Sequence, residues 1–173
     1  MSAPLAAAIA AAAYREEPYR LPDGRRLERY FDPYRLSAEP ALLARTAAAL
    51  AALLPPGTQA LAGPALAAVP LVTALSLHTG LPAFYLRPVP KGHGSRRQIE
   101  GGPAAGPAGL RTVVLDDTAR TGTSLLVPVR RLRLAGARVH DALAVVDRQC
   151  GAAALLGQHR VTLHCLITDA GTS

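Results

Sequence analysis

The chain has 173 residues, half of them hydrophobic and only 4% aromatic, with a formal charge of +7 at pH 7. That length suits a single domain, residues 1–173, and the small side chains in the apolar fraction let helices lie close on a sheet. The charge calls for an anionic partner. Nucleic acid is the obvious competitor, yet no helix-turn-helix spacing, zinc pattern or aromatic-rich RNA-binding signature accompanies the charge, and a phosphorylated small molecule explains it equally well; no apolar run is long enough to span a bilayer.

In chain order, the Ala-rich run from Leu5 to Ala13 has no Lys or Arg before it and Tyr14-Arg15-Glu16-Glu17 directly after it. It therefore reads as a first helix over 4–17 rather than a secretory signal. Residues 18–32 suggest a hairpin around Pro22-Asp23-Gly24, with Tyr30-Phe31-Asp32 as its second arm. Glu39 and Pro40 open a helix that runs to 54 and stops at Pro55-Pro56-Gly57. A strand over 58–61, a helix over 65–78 and a strand over 83–87 follow. Residues 88–109 are rich in Gly, Pro and basic side chains without an apolar period, and are expected to form a long functional loop. Then come a strand over 111–115, a helix to 134, a strand over 139–146, a helix over 151–156 and a strand over 161–167. Strands alternating with helices imply an α/β fold with a mostly parallel central sheet covered on both faces. Cys150 and Cys165 are too few for a disulfide framework and read as reduced thiols of a cytoplasmic protein.

The stretch most specific to function is Thr112-Val113-Val114-Leu115-Asp116-Asp117-Thr118-Ala119-Arg120-Thr121-Gly122-Thr123-Ser124. An apolar strand ends in two carboxylates, a Thr/Gly/Ser loop follows, and a helical pattern begins at Leu125. Acids at a strand's end can accept hydrogen bonds from sugar hydroxyls. Loop amides and a helix N-terminus can surround a phosphate. No Gly-Lys-Ser/Thr follows, so this is not a nucleotide P-loop. The bland alternative is a solvated Asp-Asp turn with a Thr or Ser cap. Nearly all the positive charge is arginine, and Lys91 is the only lysine. A compact ammonium retained there suits a role that a guanidinium would not fill.

This stretch resembles the phosphoribosyl pyrophosphate (PRPP) signature of type I phosphoribosyltransferases. Further segments are similar, in order, to orotate phosphoribosyltransferase within that family. They are Tyr30-Phe31-Asp32 before a helix at Ser37 to Leu43, and Ala62-Gly63-Pro64 through Val72 at the first phosphate loop. Arg87, Lys91, His93 and Gly94 match the mobile loop, and Val145-Val146-Asp147-Arg148 the strand end before the last helix. The resemblance spans roughly 18–168. It implies transfer of a phosphoribosyl group from PRPP to orotate or a related base, with release of pyrophosphate.

The resemblance also implies roles for individual residues. Asp116 and Asp117 would hold the ribose hydroxyls, with a hydrated Mg2+ carried by PRPP near Asp116 and no direct protein ligand assigned. Thr118, Ala119, Arg120, Thr121, Gly122, Thr123 and Ser124 would bind the 5′-phosphate. Arg87, Lys91 and His93 would ride on a lid over 88–109 and act on pyrophosphate, with Lys91, His93 and Asp117 as the catalytic set. Arg148 would pair with an acidic group on the base, in a site shared by Arg120 and by Tyr30 and Phe31 of a small hood over 18–36. A homodimer with the lid reaching into the neighbouring site is implied as well. Taken singly, Arg87, Lys91 and His93 also suit a solvated basic loop, and Arg148 suits a salt bridge with Asp147 or a nearby acid.

Several positions depart from the family pattern. Pro88 replaces a basic residue of the mobile loop, Ala67-Ala68 replaces Lys-Gly or Gly-Gly, Arg120 replaces a threonine that touches orotate, and Pro22 replaces an orotate-binding lysine. Alanine resists the positive φ that a pyrophosphate-binding turn can require. Three readings stay open. One is an orotate enzyme with Arg25, Arg26 or Arg120 supplying the missing cations. The others are a phosphoribosyltransferase for another base and a non-catalytic PRPP-binding regulator.

Overall fold

The computed structural model describes residues 3–16, 19–20, 24, 26–27, 29–88 and 98–169. Helix α1 (Ala3–Ala13) is shorter than its sequence pattern because Tyr14–Arg15 turns into a short strand, β1. The hairpin is also rearranged. Strand β2 (Tyr19–Arg20) pairs with β3 (Arg26–Leu27), whereas β4 (Tyr30–Phe31) pairs with β1, placing Tyr14 opposite Phe31. Helix α2 (Pro33–Ser37) was not expected. Its signal is Asp32-Pro33: the Asp32 carboxylate accepts from the amides of Tyr34 and Arg35, and Pro33 fits the first turn.

The remaining elements are α3 (Pro40–Ala51), β5 (Ala60–Pro64), α4 (Ala68–Thr79), β6 (Ala83–Leu86), β7 (Ile99–Gly101), β8 (Arg111–Ala119), α5 (Thr123–Leu134), β9 (Arg138–Asp147), α6 (Ala152–Gln158) and β10 (Thr162–Thr168). The expected 88–109 loop thus contains a strand, because Ile99–Gly101 pairs antiparallel with β6. The central sheet has the order β10-β9-β8-β5-β6-β7 and is parallel except for β7, as the alternating pattern implied.

The two-residue period of the strands divides the core between the faces. Leu61, Val113, Leu115, Leu143 and Val145 pack with Leu71 and Leu75 of α4 and Ile9 of α1. On the other face the strands present Ala60, Ala62, Val114, Ala142 and Ala144 to Leu125, Val129 and Leu132 of α5. Small strand residues on that side let a leucine-bearing helix lie close to the sheet. From β5 the chain crosses through α4 to β6, and from β8 through α5 to β9 on the opposite side. The sheet order therefore reverses between β5 and β8, and the crevice beyond their carboxyl ends is where such sheets take ligands. No helix among the described residues is long and apolar enough to cross a membrane.

Candidate active site

The signature strand runs four residues further than its apolar run. β9 continues to pair with β8 through Asp116↔Ala144, Thr118↔Val146 and Ala119↔Asp147, whereas pairing with β5 ends at Ala62↔Val114. The acid pair therefore stands in a strand held along one edge and released along the other. Asp116 is buried, and its Oδ1 accepts from the Asp117 amide at 3.0 Å. Burial, reinforced by the neighbouring Asp117 carboxylate, pushes the Asp116 carboxyl well above the usual carboxylate range; hydrogen bonds from Ser124 and the Asp117 backbone partly oppose this. Asp117 is less buried, and its Oδ2 accepts from the Thr118 hydroxyl at 3.0 Å.

Beyond Ala119 the chain turns at Gly122, the N-cap of α5, with φ +86°. A side chain there would meet the Ala152 Cα and carbonyl oxygen at 3.1 Å, so the turn requires glycine on two grounds. The Ala152 amide donates to the Arg120 carbonyl (3.1 Å) and the Arg148 amide to the Ala119 carbonyl (2.8 Å), which fixes the loop to the next strand–helix junction. Thr121, Thr123 and Ser124 are exposed around the N-terminus of α5, with the two threonine hydroxyls 3.3 Å apart. The first amides of a helix lack intrahelical partners, and together with the dipole they favour an anion.

A pocket of about 290 Å3 opens beside this turn. Asp117, Thr118, Arg120, Thr121, Ser124 and Arg148 form its sheet side, and Arg29, Tyr30 and Phe31 its hood side. The guanidinium of Arg148 is buried and pairs at 3.1 Å with Asp169, not with Asp147, whose Oδ1 accepts from the Gln149 amide. Tyr14 also hydrogen-bonds Asp169, and its hydroxyl lies 3.4 Å from Arg148 Nη1. Burial and then the Asp169 carboxylate push the Tyr14 hydroxyl up to about 12. The Tyr14 ring takes Phe31 at its edge (5.3 Å) and the Arg29 guanidinium 3.7 Å from its centroid.

Arg29, Tyr14 and Asp169 escaped the sequence reading. Arg29 directly precedes the Tyr30-Phe31 pair, and Asp169 directly follows a parallel strand's carboxyl end; both are usable signals. Tyr14, at the end of a helix, carries none.

A second pocket of about 270 Å3 adjoins the first through Ser124 and is lined by Pro64, Ala65, Arg87, Thr123 and Arg131 among others. The expected conflict at Ala67-Ala68 does not arise. Ala67 has φ −64° as the N-cap of α4, and Ala68 is a buried helical residue packed over Gly63. Arg131 of α5 donates to the carbonyls of Arg87 (2.6 Å) and Pro88 (3.2 Å). It thereby ties α5 to the root of the expected lid. Lys91, His93, Pro22 and Arg25 lie outside the described residues. A larger groove of about 800 Å3 beside β7 and the end of α5 contains neither of the paired acids. Among the described residues no three His, Cys, Asp or Glu side chains come together as a metal-binding group, and both cysteines are free thiols.

No known family profile matches the chain. Against individual proteins, 148 residues (86% of the chain) are 37% identical to the orotate phosphoribosyltransferase of a Nocardioides species, covering 81% of that protein. The solved orotate phosphoribosyltransferase of Aeropyrum pernix superposes with a TM-score of 0.81 at 34% identity, over 95% of this chain and 93% of that one. The Mycobacterium tuberculosis orotate phosphoribosyltransferase in complex with PRPP superposes with a TM-score of 0.76 at 27% identity, over 96% and 95%.

Proposed function

The chain belongs to the orotate phosphoribosyltransferase family, and from that premise we propose that it transfers the phosphoribosyl group of PRPP to orotate at the carboxyl end of β8, releasing pyrophosphate. One observation carries the reading: Asp117, directly after the buried Asp116, and Ser124 at the N-terminus of α5 line a pocket that Arg29, Arg120 and Arg148 also line. Sugar acceptors, a phosphate cradle and cations for an acidic base thus share one crevice.

In this reading the 5′-phosphate sits on the amides after Ala119, with the hydroxyls of Thr121, Thr123 and Ser124 as further donors. Asp116 and Asp117 hold the ribose hydroxyls. Asp116, kept in its protonated form more readily than an ordinary carboxyl, can donate as well as accept. The base occupies the 290 Å3 pocket against Tyr30 and Phe31, its carboxylate facing Arg148 and Arg120. Pyrophosphate lies toward the second pocket, near Arg87 and Thr123.

The bond from the anomeric carbon to the pyrophosphate oxygen breaks, the leaving group keeps the electron pair, and the base ring nitrogen forms the new bond to that carbon as its proton is lost to water. Positive charge developing on the ribose is offset by Asp117, and negative charge on the leaving group by Arg87 with Lys91 and His93 of the lid. The paired acids are hard oxygen donors without a third ligand beside them among the described residues, which fits an ion carried mainly by substrate oxygens and water. Mg2+, when bound, supplies neutralisation of pyrophosphate charge. The family resemblance further supports a homodimer and a cytoplasmic enzyme.

The test is direct. Purified protein given PRPP, orotate and Mg2+ should form orotidine 5′-monophosphate, and should consume that product when pyrophosphate is added. Turnover of another base without orotate, or PRPP binding without chemistry on any base, would refute the reading.

A further inference from the structure

The resemblance puts a base-binding lysine of the family at Pro22, which carries no charge. The pocket nevertheless receives a cation from the hood. Arg29 lines it between β3 and Tyr30, together with Arg148. The two guanidiniums differ in how far they are already neutralised. Arg148 is buried and paired at 3.1 Å with Asp169. Arg29 makes its ion-pair contact through Nε with Glu16, at 3.5 Å, and that glutamate side chain is 82% exposed, so water screens the pair. The contact does not satisfy the donor: Arg29 Nε is buried without a hydrogen-bond partner among the described residues. A cationic N–H held by a screened ion pair without a hydrogen bond, on a side chain 39% exposed beside a pocket, gains from an added acceptor.

The position of Arg29 is nonetheless fixed. Its guanidinium lies 3.7 Å from the centroid of the Tyr14 ring. That ring is held at its hydroxyl by Asp169 and at its edge by Phe31. Arg29 is therefore oriented without being discharged.

Building on the orotate reading above, we propose that Arg29 is a specificity-determining residue that binds the carboxylate of the base from the hood side, in place of the lysine missing at Pro22. Orotidine 5′-monophosphate and uridine 5′-monophosphate share the ribose phosphate and differ in that carboxylate, so calorimetric binding of the two isolates the contact without requiring turnover. Wild type should prefer the orotidine nucleotide. Arg29→Gln should lose about 10- to 100-fold of that affinity, the worth of one charge-assisted hydrogen bond, while binding the uridine nucleotide within about 2-fold of wild type. Arg29→Lys, which keeps the charge but loses the planar stack, should fall between them. In steady state the KM for orotate should rise and that for PRPP should not. An unchanged preference in Arg29→Gln, or equal losses for both nucleotides, overturns the role of Arg29 alone. A wild-type protein with no preference between them overturns the orotate reading together with it.

Discussion

Gly122→Ala tests whether the phosphate turn is built as described, and its cost can be worked from geometry. At φ +86° a residue with a Cβ sits in left-handed backbone, at about 1–2 kcal/mol. The new methyl would also stand 3.1 Å from the Ala152 Cα and carbonyl oxygen, inside the usual carbon contact of about 3.5–4.0 Å. Those are backbone atoms, so no side-chain rotation relieves the clash; α6 or the loop must shift, at roughly a further 1–2 kcal/mol. The total is about 2–4 kcal/mol, which for a chain of this size lowers Tm by roughly 5–15 °C.

Because the Ala152 amide bonds the Arg120 carbonyl, the same shift disturbs the cradle, and PRPP affinity should fall at least about 10-fold. Gly151→Ala is the control. Its φ is +99°, but a Cβ there meets nothing within 4 Å, so only the backbone cost applies and PRPP binding should hold. Differential scanning calorimetry and PRPP titration with Mg2+ read both quantities. A Gly122→Ala protein that melts with wild type, or no more than Gly151→Ala does, would refute the close contact with α6.

Asp116→Asn separates stability from binding. Folding favours the protonated carboxyl, so the native state binds more protons than the unfolded one as pH rises above the ordinary carboxylate range, and stability declines across that interval. Asparagine removes the decline, so the ligand-free variant should melt above wild type at pH 8, with a smaller gap at pH 4.5, while losing PRPP affinity. A variant that melts below wild type at pH 8 would contradict the burial argument. Arg131→Gln releases the carbonyls of Arg87 and Pro88. If the segment beyond Pro88 closes over pyrophosphate, kcat should drop about 10-fold with the KM for PRPP nearly unchanged, and Arg131→Lys should restore part of it. A rise confined to the KM for PRPP would make Arg131 a binding residue instead.

The legible parts of this molecule are those in which neighbours in sequence are neighbours in space. The β8 signature is one strand, one turn and one helix start, so its thirteen consecutive residues could be recognised before any fold was known. The alternating elements were legible for the same reason, since each parallel crossover is local in sequence. The errors cluster where pairing overrides local pattern. Tyr14–Arg15 looked helical, but its backbone is taken by Tyr30–Phe31. Ile99–Gly101 looked like loop because its strand character comes from lying along β6. The acid pair looked terminal because its apolar run stops at Leu115, whereas continued pairing with β9 extends the strand to Ala119.

The base side of the crevice follows the opposite rule. Tyr14 and Asp169 are 155 positions apart and touch through one hydrogen bond, and Arg29 and Arg148 approach the same tyrosine ring from the hood and from the sheet. No spacing rule connects such residues. Reading along the chain, a lysine lost at Pro22 looks like a lost function, and the search for a substitute turns to its neighbours Arg25 and Arg26. The fold offers another answer. The β1–β4 ribbon fixes Phe31 against Tyr14, so the residue before Tyr30 is delivered to the pocket wherever the hairpin tip lies. On the proposed reading the 5′-phosphate takes main-chain N–H groups, which side-chain substitutions other than proline leave in place, whereas the base takes side chains that can be supplied from more than one position. The departures in this chain follow that division by contact type rather than by place: Pro22 falls in the hood segment, Ala67-Ala68 and Pro88 toward the second pocket, and Arg120 within the β8 turn at a side chain that lines the first pocket, while Gly122 of the turn is kept.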